Sequence, residues 1–397
     1  MKKLIVTLVL LLAAGTAFSQ PNISPLEQAG TDLYKQGKTD EAITTFKKAL
    51  AENPQSLYSM NALGNLYLMN TNYQDAYTVA DKGFKLTGGA PNFMVVKAKA
   101  AIRINKAQEA LTMVDDYLKT HQPDFMLLFV KGSAYNVLGD MQQALTYFSQ
   151  SLAANPDFPD AYIGRGKDLD DIGRYPQAIK DLDKAISLRD DNAQAYYYRA
   201  LAYYHSGNLN AALIDCNKTM ELSPKYFEAL EFRGVLYTDL KQTDKAIADL
   251  NAAIALAPNL AVSYYHMAGA YMYAKQYDKG LPFINKAMEI IPNAKEYFWI
   301  RCRLYLYLNR NTEALADAQK AMALDDKAPD GYIGLATAQY NLDKYEDAVK
   351  TATKGIAVNP DYYLLYMLRA SFYRDKGNTT MADADDQKAK QLAGNIK

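Results

Sequence analysis

Cysteine is nearly absent from this chain. Two residues in 397, Cys216 and Cys302, cannot build a disulfide framework. Histidine is almost as rare, and His121, His205 and His266 lie in different parts of the chain with no cysteine or carboxylate at metal-ligand spacing, so neither a metal nor any other cofactor is expected. Glycine and proline, 21 and 14 residues, are too few for a fibrous or low-complexity chain. Neither sign of charge prevails: 44 basic against 44 acidic side chains excludes a strongly basic nucleic-acid binder and by itself selects no partner. No phosphate loop, nucleophile elbow or zinc-helix signature occurs. The abundant residue is tyrosine, 32 against a single tryptophan.

A long apolar run is missing too. The run from Leu4 to Ala14 falls short of the about 20 residues that a membrane-spanning helix needs. With Lys2 and Lys3 before it and Ala17-Phe18-Ser19 before Gln20, residues 1–19 read as a secretory signal peptide. The expected product is an exported protein, in a bacterial periplasm or secreted, with no membrane span after signal removal. No cysteine follows the run to carry a lipid anchor.

The remainder, 20–397, has a period of 34. Units starting at residues 23, 57, 91, 125, 159, 193, 227, 261, 295, 329 and 363 fill the chain without insertion or deletion. Position 8 of the units reads Gly30, Gly64, Ala98, Gly132, Gly166, Ala200, Gly234, Ala268, Cys302, Ala336 and Ala370. Position 20 is alanine in every unit but one, where it is Gly280. Helices approach closely only where facing side chains are small, so the interval between these positions predicts a helix, a tight turn and a second helix. Pro54, Pro156, Pro224, Pro258, Pro292 and Pro360 at position 32 end the second helix. Apolar residues at positions 4, 11 and 24 supply the helical period.

This pattern, with Tyr at 11, Ala at 20 and 27 and Pro at 32, resembles the tetratricopeptide repeat family over the whole mature chain. Unit 3 departs from it at Lys97, Ala101 and Tyr117 and is the expected site of local distortion. The resemblance implies an all-α, right-handed superhelical solenoid of eleven helix-turn-helix units, whose first helices line a concave groove that binds proteins or peptides. Every mature residue but a few belongs to a repeat, leaving no separate catalytic domain, and the expected role is that of a non-catalytic scaffold.

The units also covary internally. Position 7 is arginine in five of them, Arg165, Arg199, Arg233, Arg301 and Arg369, and position 23 is aspartate in the same five, Asp181, Asp215, Asp249, Asp317 and Asp385. Chance would place five marks identically among eleven slots about once in 460 trials, and covarying positions touch. An ion pair joining the two helices of each of these hairpins is expected, half buried beside the small-residue contact.

If the first helix lines a groove as in the family, positions 2, 5, 9, 12 and 13 face it. In units 6–10 these hold Tyr197, Tyr204, Tyr265, Tyr273, Trp299, Tyr307 and Tyr340, interleaved with Glu228, Glu231, Asp239, Glu296 and Asp330 and with one strong base, Arg303. Tyr and Trp give rigid contact area with one polar tip. An extended, neutral or basic polypeptide is the expected ligand, and a glycan stacked on the same rings is the alternative. The clamp of Lys and Asn that family members use for a terminal carboxylate is only partly matched, by Glu27, Thr31, Asn61, Asn65, Asn92 and Lys99.

Overall fold

The computed structural model describes residues 23–394, so the segment read as a signal peptide lies outside the described residues. Those residues form 22 α-helices joined by short turns, with no strand among them. The first helix of repeat 1 is Pro25–Lys35, and from repeat 2 onward every first helix occupies positions 1–13, from Leu57–Met69 to Tyr363–Asp375. Second helices begin at position 17 throughout, as in Thr39–Glu52 and Tyr175–Leu188. Repeat 3 is the short one: its second helix, Ala107–Leu118, stops two residues early, and Tyr117 at the small-residue position instead stacks on His121 with centroids 3.9 Å apart. The chain divides into two compact bodies between Asp215 and Cys216.

Within each repeat the two helices pack tightly. The position 8 and 20 side chains are wholly buried, Ala200 and Ala212 or Ala336 and Ala348 for example. Size is traded across the contact between positions 8 and 24 in several repeats. Where position 8 is glycine, position 24 is Phe46, Phe148, Leu182 or Leu250; where it is Cys302 or Ala336, position 24 shrinks to Ala318 or Ala352, though Ala268 faces the larger Ile284. A Cβ on Gly234 would lie 2.6 Å from Leu250 Cγ, and one on Gly166 2.8 Å from Leu182 Cγ. Repeat 2 has Gly64 opposite Ala80, and there Val96 of the next repeat fills the space, 3.0 Å from where a Cβ would stand.

The turn between helices carries a second constraint. Position 15 is left-handed in all eleven repeats: glycine at Gly37, Gly139, Gly173, Gly207 and Gly377, but Thr71, Asn105, Lys241, Lys275, Asn309 and Asp343 elsewhere, with φ of 57–62°. The backbone carbonyls it exposes are capped, as when the Lys106 amide donates to Ala101 O at 2.9 Å.

Gly234→Ala is expected to cost about 1–3 kcal/mol by overpacking, and Leu250→Ala about 2–5 kcal/mol by opening a cavity. The double variant recreates the Ala/Ala contact of repeat 10. Its unfolding free energy, measured in urea, is expected to exceed the additive sum by at least about 1 kcal/mol; strict additivity would show that the size trade is not a contact effect.

Candidate binding face

The residue before the small position 8 sets how consecutive hairpins are joined. In the five repeats with arginine there, the guanidinium grips the aspartate sixteen residues later in a two-pronged pair. Arg233 Nε and Nη2 donate to Asp249 Oδ2 and Oδ1 at 2.6 and 2.8 Å, and Arg165–Asp181, Arg199–Asp215, Arg301–Asp317 and Arg369–Asp385 have the same geometry. The aspartate side chains are 4–12% exposed and the arginines 15–24%, so the pairs lie deeper than half buried. The remaining prong, Nη1, reaches sixteen residues back to the second helix of the preceding repeat, at Ser149, Asp183, Asn217, Asn285 or Thr353, 2.6–3.1 Å away. Each arginine therefore ties three helices together.

Repeats 3 and 4 use lysine at the same position and move the carboxylate. Lys97 pairs with Asp81 and Lys131 with Asp115, both at 2.7 Å and both on the preceding second helix, while Lys131 also donates to Tyr147 Oη at 2.8 Å in its own repeat. The departure of repeat 3 from the pattern at Lys97 is thus a change of partner.

First helices of consecutive repeats touch one another within each body, while among the described residues no second helix makes comparable contact with the next second helix. This puts the first helices on the inner side. In the C-terminal body the structure brings Tyr265, Tyr273, Glu296 and Arg303 within electrostatic reach of one another: burial first, then Glu296 and Tyr273, push the Tyr265 hydroxyl above its ordinary value, and Arg303 opposes them. Arg303 lies over the Trp299 ring at 5.6 Å, and that ring rests on Gly334, where a Cβ would come within 2.9 Å. Tyr273 and Tyr307, both at position 13, stand out at 67% and 50% exposure, the latter stacked on Tyr277 at 4.4 Å. Tyr340 differs, being stacked on buried Phe372 at 4.4 Å with its hydroxyl bound to Asp375. Tyr197 and Tyr204 belong to the N-terminal body, where they contact Tyr198 and His205.

The inner side of the N-terminal body holds a recess of about 520 Å³ across repeats 2–6, walled in part by Lys99, Arg103, Lys167, Arg189, Asp160 and Asp168. Asp168 is wholly buried. It accepts from Asn136, stands 3.9 Å from Lys167, and its Oδ2 has no hydrogen-bond partner. Burial, with Asp171 nearby, pushes its carboxyl up to about 7, against the pull of Lys167 and Asn136. The partial clamp residues are mostly occupied internally: Asn92 and Asn65 donate to Asn61, and Glu27 accepts from Ser56, Ser59 and the Ser24 amide.

Sequence models of the tetratricopeptide repeat match residues 95–159, 163–226, 227–260 and 261–294, and a model of anaphase-promoting complex, cyclosome, subunit 3 matches residues 35–117. The chain belongs to the tetratricopeptide repeat family. Its fold is similar to that of a tetratricopeptide repeat protein from Parabacteroides merdae, with 20% identity over 62% of this chain and 98% of that one and a TM-score of 0.51. It is also similar to human IFIT1, solved as a dimer with m7Gppp-AAAA, with 16% identity over 98% of this chain and 94% of that one and a TM-score of 0.55. No curated protein sequence matches it significantly.

The repeat register supplies contacts that spacing within units does not show. His205 Nδ1 lies 3.0 Å from both oxygens of Asp170, and His266 Nδ1 lies 2.7 Å from Glu231 Oε1. Both partners stand thirty-five residues earlier, one repeat plus one residue. The Tyr340–Asp375 contact has the same offset, so spacing by the tetratricopeptide period plus one is the signal that finds them. Cys216 and Cys302 are fully buried core residues, and burial pushes the Cys302 thiol up to about 12.

Replacing Arg233 by Met or Asp249 by Leu is expected to cost about 3–5 kcal/mol each, because a buried charge is left without its counterpart. The double replacement should cost far less than the sum, and purely additive losses would dismiss the pair as the cause. For Asp168 the folded pKa of about 7 exceeds the ordinary 3.8, so the folded chain keeps a proton that the unfolded chain releases. This contribution is complete below about pH 4 and is lost as pH rises through 7. Asp168→Asn is expected to remove about 2–4 kcal/mol of the decline between pH 4 and pH 8, read from urea unfolding at each pH; an unchanged decline would assign the proton elsewhere.

Proposed function

We propose that this tetratricopeptide repeat protein is an exported, non-catalytic scaffold that holds an extended, neutral or basic polypeptide against the first helices of repeats 7–10. The fold itself belongs to a class of protein-interaction scaffolds. The observation that carries the finer reading is the pair of exposed rings, Tyr273 and Tyr307, at equivalent positions of consecutive repeats, beside the Tyr265, Glu296 and Arg303 cluster. An extended chain meets equivalent positions of stacked repeats in succession, so a ring repeated at the same position offers a contact at each step. Large, rigid, amphipathic rings carry much of the energy at such contacts.

Charge supports the choice of ligand. Glu228, Glu231, Glu296 and Asp330 occupy inner-face positions of repeats 7–10 against the bases Arg303 and His266. The human IFIT1 neighbour was solved with m7Gppp-AAAA, but a phosphate backbone approaching these carboxylates would be repelled, where a basic peptide would be attracted. A polypeptide therefore fits this face better than a nucleic acid. Residues 1–19 supply the export signal in this reading, and Gln20 is the expected first residue of the product.

The test replaces Tyr273 and Tyr307 together by Ser, since both are exposed and their loss leaves the core intact. Binding to a library of extended basic and neutral peptides is expected to weaken at least tenfold, about 1.4 kcal/mol, and to fall with added salt, with thermal unfolding unchanged. Unaltered peptide binding with loss of binding to envelope polysaccharide would replace the polypeptide by a glycan. Sequencing the N-terminus of the expressed full chain checks export, and a retained Met1 would refute it.

A further inference from the structure

The recess in the N-terminal body contains polar groups that the fold leaves unanswered. Lys99 is half-buried with its ammonium over the Phe129 ring at 5.4 Å, and among the described residues no carboxylate comes within ion-pair distance of it. One turn along the same helix, Pro91–Arg103, Arg103 lies over Tyr73 and donates to its hydroxyl at 3.2 Å, likewise without a carboxylate. Arg189 holds Asp160 at 2.5 Å through Nη2, but its Nε is buried with no acceptor. Opposite in character is wholly buried Asp168, whose Oδ2 also has no partner. Buried polar groups are almost always hydrogen-bonded, and an orphaned one costs about 1–3 kcal/mol. Two buried polar atoms without a partner, Arg189 Nε and Asp168 Oδ2, stand around one cavity with half-buried Lys99 and exposed Arg103, neither of which has a carboxylate partner, and together they are the marks of a site completed by a ligand.

The lining states what that ligand carries. Lys99, Arg103 and the Nε of Arg189 ask for an anion, while Asp160 and Asp168 on the same wall disfavour a second acid and favour a hydrogen-bond donor beside the first. Phe129, Ile102 and Ile163 give the recess apolar walls, and its volume of about 520 Å³ lies within the range of small-molecule sites, about 300–1,000 Å³. We propose that this recess binds a free small monocarboxylate bearing an adjacent donor and an apolar side chain, that is, an α-amino or α-hydroxy acid, with Lys99 as the principal carboxylate contact. The site lies in other repeats than the polypeptide face of the C-terminal body and stands or falls separately from it.

The experiment uses the full chain and records thermal unfolding with each apolar L-amino acid and its 2-hydroxy counterpart, followed by titration calorimetry on any compound that raises the Tm. At least one free acid is expected to bind saturably, with its amide, which lacks the charge, at least tenfold weaker. Lys99→Met is expected to abolish binding while the Tm of the unliganded chain stays equal or rises, because an apolar side chain replaces a half-buried ammonium that has no carboxylate partner. Arg103→Met, at the mouth, should weaken binding about tenfold and serves if Lys99→Met does not fold. Failure of every compound to raise the Tm would overturn the proposal, as would equal binding of acid and amide or binding that survives both variants. A tripeptide ending in the same residue that binds where the free acid does not would make the recess a chain-terminus site and refute the free ligand.

Discussion

The close approach of paired helices at positions 8 and 20 governs the rest of the structure. With glycine, alanine or cysteine at the contact and nothing larger than Phe46 or Phe148 across from a glycine, the two helices of a hairpin share one closely packed buried surface. Side-chain volume lost at position 8 can be made up at position 24, because packing energy depends on filled space and not on which residue fills it. A constant hairpin can then be stacked repeatedly, and positions facing away from the contact are released to vary in chemistry.

Position 7 adjoins that contact, so from repeat 2 onward whatever stands there is at least partly buried and must be satisfied. Arginine meets the demand with a planar fork that takes an aspartate in its own hairpin and a third acceptor on the preceding one. Lysine, a compact point charge on a longer flexible stem, takes the aspartate on the preceding helix. Leu63 and Met267 solve the same problem without charge and are fully buried. Buried pairs of this kind add little net stability over apolar residues, but they penalise misalignment heavily because a shifted neighbour would strand a charge. Their three-helix geometry is consistent with a role in fixing how one hairpin sits on the next within a body.

Much of the fold was legible because its constraints act on single positions at a fixed period. Small residues and terminal prolines set both helix ends to within a residue or two, and the arginine–aspartate covariation located contacts sixteen residues apart. Other features were hidden by the same regularity. The left-handed position 15 carries Thr71, Lys241 and Lys275 as well as glycine, so residue type did not announce it. The partners of His205 and His266 lie at one period plus one residue, a register that a search within units passes over. The aromatic face was legible as a composition, but not which rings are spent on packing: Tyr340 on Phe372 and Trp299 on Gly334 could be told from exposed Tyr273 only with neighbouring repeats in place. The recess was not legible at all, because it assembles position 9 of one repeat, position 10 of another and an inter-repeat residue, Arg189, that no periodic reading groups together.

The balanced charge of the chain conceals a separation of charge between its inner surfaces. Four cations, of which Lys99 and Arg103 have no carboxylate partner, gather around the recess of the N-terminal body, while the first-helix face of repeats 7–10 carries mainly carboxylates among its rings. Net charge governs solubility and long-range encounter, but a docked ligand responds to the charges within about 10 Å of it at ordinary salt. Each surface therefore selects ligands by its own local field, and a neutral sum is compatible with an anion site and a cation-attracting face in one molecule. The repeat makes such a separation easy to acquire, since an inner-face position can change sign in one unit without disturbing the buried contact that every unit shares.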